Sequence, residues 1–187
     1  AGMTVLSTDF TPQSTPDFTS VLTRINQRKP DAVAIFMLGA DQLNLLRTSM
    51  QMGLKLPFTG RAELQGKNLE VIQAGGMEGS VSAWTYSPDV QNPTNLAFAK
   101  KILDKYKSTA TLQSWAGYDA MRLIGQAIKE ANSADPEKIR DAMAKTKFTN
   151  LLGKTVTFDK NNQAGKVVLI QQVKDKKVTI LDLCEVK

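Results

Sequence analysis

Apolar residues in the first half of this chain come in short bursts, separated by stretches with helical spacing. Residues 3–7 (Met-Thr-Val-Leu-Ser) have strand composition, and residues 8–16 form a loop rich in Pro, Ser and Thr. From Asp17 onward, Phe18, Val21, Leu22 and Ile25 fall on one helical face, which Lys29 and Pro30 terminate. Residues 32–37 (Ala-Val-Ala-Ile-Phe-Met) are continuously apolar, as in a strand buried on both faces. Gly39, Ala40 and Asp41 make a turn, with Asp41 as candidate N-cap of a helix striped by Leu43, Leu46 and Met50. Gly53 is placed to end that helix. A short strand over 56–59 ending at Gly60, a weaker helix over 66–74 and a strand over 80–86 come next. Strands alternating with helices across short loops predict βαβ units and an α/β fold built on a doubly wound parallel sheet.

Residues 87–94 (Ser-Pro-Asp-Val-Gln-Asn-Pro-Thr) break this rhythm. Behind them the spacing predicts helices over 96–107, 113–131 and from Asp135, where Asp as N-cap is followed by Pro136 at the first helical position. Strands are predicted over 154–158, 166–173 and 178–183, with hairpin-type turns at 159–162 and 174–177. Trp115 and Tyr118, three apart on a helix, read as core packing. Residues 75–79 (Gly-Gly-Met-Glu-Gly) lack the Gly-Lys-Ser/Thr ending of a phosphate loop and precede a strand, so they read as a turn.

Composition narrows the chemistry. The 187 residues contain no histidine and a single cysteine, Cys184. A Ser-His-Asp triad, a Cys-His dyad and a His-based zinc site are therefore impossible, and no disulfide forms within the chain. Cys184, in an apolar terminal strand, reads as an inert buried thiol. The net charge of +6 is spread along the chain rather than clustered, which describes a solvated surface better than a nucleic-acid-binding face. No apolar run reaches the roughly 20 residues of a membrane span. The first residues, Ala-Gly-Met-Thr, lack the basic and apolar regions of a signal peptide, as a mature exported chain also would.

In open parallel sheets, ligands bind outside the carboxyl ends of the strands. Those ends carry Asp41, Arg61, Glu63 and Tyr86, which become the candidate ligand-facing residues. No residue presents itself as catalytic, and neither a cofactor nor a metal site is indicated.

Several segments, weak singly, recur in a fixed order. They are residues 17–22 (Asp-Phe-Thr-Ser-Val-Leu), 29–33 (Lys-Pro-Asp-Ala-Val), Gly53-Leu54, 76–79 (Gly-Met-Glu-Gly), 118–120 (Tyr-Asp-Ala), 151–159 (Leu-Leu-Gly-Lys-Thr-Val-Thr-Phe-Asp) and 171–175 (Gln-Gln-Val-Lys-Asp). In that order the chain resembles the C-terminal half of periplasmic substrate-binding proteins of branched-chain amino-acid ABC transporters, the type I, Leu/Ile/Val-binding receptors. The resemblance implies an incomplete type I periplasmic-binding-protein fold, a fragment lacking the N-terminal portion. It places residues 1–87 in the second lobe, 88–156 as a helical part of the first lobe, and 157–187 as terminal strands and crossover. It implies a periplasmic receptor with no enzymatic activity. Its ligand would be a branched-chain amino acid or an organic carboxylate, held between two lobes, and its partner a membrane permease, with no nucleic acid involved. The alternative is a ligand-sensing regulator or enzyme on the same fold, with its active module in the part this chain lacks. Within the family an acidic residue after the fourth strand of this lobe meets the ligand ammonium. Glu63 is the nearest match, displaced by one position, and Ala62 is the other candidate. Arg61 favours an anionic ligand instead. A fragment also loses a strand beside 32–37, so residues 3–7 are expected either to pair there directly or to leave an edge that drives a homodimer.

Overall fold

The computed structural model describes residues 2–186. The chain divides into two compact units: residues up to Trp84 with Ile170–Asp182, and Thr85–Leu169 with the residues from Leu183 on. Among the described residues no helix is long and apolar enough to cross a membrane.

The first unit follows the strand–helix alternation: α1 (Thr19–Gln27), β1 (Val33–Ile35), α2 (Gly39–Gln51), β2 (Phe58–Gly60), α3 (Asn68–Gln73) and β3 (Val81–Trp84). β1 and β2 pair in parallel, with Val33 opposite Phe58 and Ile35 opposite Gly60. Parallel pairing requires a crossover, and α2 supplies it. Phe18 and Leu22 of the α1 segment, Leu45 and Leu46 of α2, Ile35, Phe58, Val71 and Ile72 make one core. Two conformational details shape it. Asp17 accepts the Thr19 backbone N–H and hydroxyl at 2.8 and 2.6 Å, which starts α1 and holds the Asp17 carboxyl below its usual range. Gly60 sits at φ +76, where an added Cβ would lie 3.0 Å from the Ile35 carbonyl, so glycine alone lets β2 end against β1.

Four expectations need correction. Residues 3–7 form no strand; they run outside any ladder, with Met3, Val5 and Leu6 exposed. A strand exists only through its partner's hydrogen bonds, and β1 takes its partner from β2. Residues 32–37 are not buried on both faces: Ile35 is buried, whereas Ala32, Ala34 and Phe36 on the alternate face are exposed. Asp41 does not cap α2, whose N-cap is Leu38; Asp41 lies in the first turn and accepts the Ser14 N–H at 2.9 Å. Finally, α2 buries Gln42, Leu45, Leu46, Thr48 and Ser49; of the expected stripe Leu46 is buried and Leu43 packs against the core, whereas Met50 is exposed.

The second unit is helical: α4 (Pro93–Tyr106), α5 (Leu112–Ala131) and α6 (Pro136–Lys145), followed by the short antiparallel pair β4 (Phe148–Thr149) and β5 (Thr155–Val156). Each helix begins on a side-chain cap. Asn92 accepts from Thr94 and Asn95, Thr111 and Ser114 form a reciprocal capping box, and Asp135 accepts from Glu137 and Lys138. The buried Asp119 of α5 accepts the Leu151 N–H at 2.9 Å and pairs with Arg122 at 2.6 Å, tying the loop after β4 to the helix. Leu103, Tyr106 and Met121 of this unit are exposed.

The terminal strands β6 (Lys166–Lys174) and β7 (Lys177–Val186) form a three-stranded sheet in the order β3-β6-β7. A two-residue turn joins β6 to β7, so they run antiparallel. Both turn residues, Asp175 and Lys176, have positive φ. Cys184 on β7 is half-buried rather than fully buried.

The β6–β7 turn is held from outside. Glu78 accepts the backbone N–H groups of Asp175 and Lys176 at 3.0 and 3.4 Å. Glu78→Ala should therefore cost about 1–2 kcal/mol in urea unfolding, and Glu78→Gln less, because an amide oxygen still accepts. Equal midpoints for wild type and Glu78→Ala would show that the carboxylate does not hold the turn.

Candidate functional site

The carboxyl ends of β1 and β2 are close together because the two strands are parallel and in register. Here the Arg61 N–H donates to the Ile35 carbonyl at 2.8 Å, so the loop after β2 leaves the sheet directly beside the end of β1. That loop, residues 61–65, is then fixed by side chains rather than by secondary structure.

Gln42 is the central group. It is 1% exposed on the buried face of α2. Its Nε2 donates to the Arg61 carbonyl at 2.9 Å, and its Oε1 accepts the Glu63 N–H at 2.7 Å and the Asn68 side-chain amide at 2.9 Å. Asn68, at the start of α3, also donates to the Glu63 carbonyl at 2.7 Å. Two buried amides thus replace the ladder that a strand would have provided. The backbone of 61–63 is immobilised while the Arg61 and Glu63 side chains project from it.

Those side chains differ in their partners. The half-buried Glu63 carboxylate accepts the Gln65 amide at 3.3 Å. Gln65 is itself buried, and its Oε1 has no protein partner. Arg61 is exposed, and its guanidinium carbon lies 5.4 Å from the centroid of the Trp84 ring at the end of β3. The chain has six arginines, and the other five (Arg24, Arg28, Arg47, Arg122 and Arg140) each pair with a carboxylate. Among the described residues Arg61 has no carboxylate partner. At Gly60, the residue before Arg61, the Phe36 ring is 80% exposed, with two ring atoms 3.2 Å from where a Gly60 Cβ would be.

Of the four residues read from the sequence, the first unit brings Arg61 and Glu63 into one loop and places Asp41 in the first turn of α2. Tyr86 belongs to the second unit. It is fully buried, stacked on Trp115 at 5.4 Å, and its hydroxyl has no protein partner. Burial, with smaller contributions from Asp89 and Asp119, pushes its phenol well above the usual range, so it stays neutral. Gln42, Asn68, Trp84 and Phe36 were not picked out from sequence. A polar residue at the i position of an i, i+3, i+4, i+7 face (Gln42, Leu45, Leu46, Ser49) is the signal that marks the first of them.

Comparison with known proteins gives a consistent result. Residues 1–177 match a family described as periplasmic binding protein. A Leu/Ile/Val-binding protein homolog of Brucella suis is 30% identical over 141 residues, covering 73% of this chain and 37% of the relative. The crystal structure of a leucine binding protein from Thermotoga maritima is similar with a TM-score of 0.74 and 27% identity, over 94% of this chain and 50% of that one. An R. palustris solute binding protein of an ABC transporter, in complex with 4-hydroxybenzoate, is similar with a TM-score of 0.78 and 26% identity, over 98% of this chain and 52% of that one. The chain thus spans about half, or less, of the length of these relatives.

Gln42 generates a testable expectation. Gln42→Leu keeps the volume but strands one buried carbonyl and two N–H donors, which should cost about 2–4 kcal/mol. Chemical denaturation would read this, and amide exchange at Glu63 should accelerate more than exchange within α5. Unchanged exchange at Glu63 would count against the clamp.

Proposed function

The chain belongs to the periplasmic binding protein family, and from that premise we propose that it is the C-terminal half of a periplasmic solute receptor, not an enzyme, serving an ABC-transporter permease and binding a small aromatic carboxylate. The observation that carries this reading is Arg61, exposed at the carboxyl end of β2 and the one arginine among the described residues without a carboxylate partner. A guanidinium matches a carboxylate in shape as well as charge, accepting it on two parallel N–H donors. The exposed Phe36 ring, packed at the preceding Gly60, supplies an apolar face suited to a planar ring. The similar R. palustris receptor holding 4-hydroxybenzoate supports the same ligand class. A receptor needs fixed polar groups and an apolar wall rather than a nucleophile with its base, and the chain has no histidine to serve as one.

Glu63 favours a second reading. Its carboxylate projects from the same loop and would suit the ammonium of an amino acid, and the Brucella suis relative carries a Leu/Ile/Val-binding name. Titration of the complete receptor separates the two. With 4-hydroxybenzoate as ligand, Arg61→Ala should weaken binding by about 2–5 kcal/mol, roughly 30-fold to several-thousand-fold, and Glu63→Ala should have little effect. With leucine as ligand, the ordering should reverse. An Arg61→Ala variant that binds 4-hydroxybenzoate as wild type does would sink the aromatic-acid reading.

The 187-residue chain by itself should bind such ligands weakly, since half a receptor cannot bury most of a small molecule. It should also self-associate to a dimer or larger species through its exposed apolar residues, among them Leu103, Tyr106 and Met121. Light scattering that reports a monomer near 20.5 kDa would contradict the second expectation.

A further inference from the structure

We propose that Trp84 is the positioning residue for Arg61: its indole face, not an acidic side chain, holds the guanidinium at the carboxyl end of the sheet and so keeps its donors available to an anion. The inference rests on the reading of Arg61 as the anion receptor and adds the residue that prepares it.

An exposed arginine on a loop has two ordinary fates. It waves in solvent, where ordering it on a ligand costs side-chain entropy, or it is ordered by a carboxylate that uses up the donors a ligand would need. A π face offers a third course. It attracts the cation through the ring quadrupole and leaves the N–H edges unspent. Arg61 lies 5.4 Å from the Trp84 centroid and has no carboxylate partner among the described residues. Arg122 provides the contrast within the same chain. It too lies over a ring, 5.0 Å from the Phe148 centroid, but its guanidinium is bound to Asp119 at 2.6 Å and to the Thr149 carbonyl at 3.3 Å. That arginine is consumed by the fold.

Trp84 is suited to the task by its own constraints. It ends β3, so the strand fixes its backbone, and it is only 8% exposed, so packing fixes its ring. Its Nε1 is buried with no partner in the protein. The Gln42 clamp on the Arg61 carbonyl and the strand end of Trp84 then fix the two ends of the pair independently.

The test is calorimetric titration of the complete receptor with benzoate and with its neutral isostere benzamide. Four single variants, Arg61→Ala, Trp84→Phe, Trp84→Leu and Trp84→Met, and the double variant Arg61→Ala/Trp84→Leu are compared. Leu and Met remove the π face at two different shapes, so that one failing to fold leaves the other. Trp84→Leu or Trp84→Met should weaken benzoate about 3- to 30-fold, the range of one cation–π contact, and leave benzamide nearly unchanged. Trp84→Phe should restore most of the loss, and the double variant should bind benzoate no worse than Arg61→Ala alone. The inference is overturned if the Leu and Met variants bind benzoate as wild type does, if benzamide falls in parallel with benzoate, or if the two losses add in the double variant. If Arg61→Ala itself leaves benzoate binding intact, the anion-receptor reading fails first and the inference falls with it.

Discussion

The first unit depends on one buried amide. β1 and β2 are three residues each, too short to fix the chain beyond their ends. The loop after β2 has to leave a parallel pair whose carboxyl end has no further strand to bond with. Gln42 solves this from the neighbouring helix, satisfying a carbonyl, an N–H and a second amide with one side chain. Because an amide carries a donor and an acceptor in fixed relation, it sets the register of the loop as well as its position. Without that, Arg61 and Glu63 would be two solvated charges on a flexible segment. With it, they are two charges whose backbones do not move.

The burial of Gln42 also explains which parts of the chain were legible in sequence. Helix starts in the second unit were readable in detail, because Asn92-Pro93, Thr111 with Ser114, and Asp135-Pro136 carry their capping chemistry within three residues. The face of α2 was not. A reading by hydrophobic periodicity selects Leu43, Leu46 and Met50. Leu43 and Leu46 do face the core, but the buried face is centred on Gln42, Leu45, Leu46 and Ser49, and Met50 lies exposed at its edge. Local patterns encode local bonds: the face of α2 marks Gln42 as a polar residue in an apolar stripe, but not its partner Glu63, 21 residues away.

Residues 3–7 and 32–37 illustrate the same limit for strands. Both have strand composition, but only the second has a ladder, and that ladder covers three residues on one side. β propensity measures the fit of a side chain to a pleated, half-buried surface, so it fails where the surface is absent. The strand–helix alternation supplied the α/β class, and the family resemblance supplied its type and the reading as a fragment; the chain corresponds to about half of its solved relatives. The candidate site was legible as a place, the carboxyl ends of the strands, and through Arg61 and Glu63. Of its supporting residues, Gln42 carries a signal in the face of its helix, whereas Asn68 and Trp84 became visible only once the chain was folded.

Charge accounting then distinguishes Arg61 from the other arginines of the fold's surface. Five arginines are paired, and each pair is explicable as local structure: Asp9 joining Arg24 and Arg28, Glu70 holding Arg47, Asp119 tying Arg122 to its loop, Asp141 beside Arg140. A paired surface arginine contributes little to stability, and the carboxylate beside it offsets the charge that an anion would seek. An unpaired one on an immobilised backbone, resting on an aromatic face, retains its full capacity for an anion and has already lost part of the entropy that binding would otherwise cost. Glu63 stands differently. Its carboxylate is half-buried and accepts the Gln65 amide on one oxygen, leaving acceptor capacity on the other for an ammonium. The asymmetry favours the anion: Arg61 is exposed with no carboxylate partner among the described residues, whereas Glu63 is half-buried and already holds Gln65, so the loop presents its cation more fully than its carboxylate.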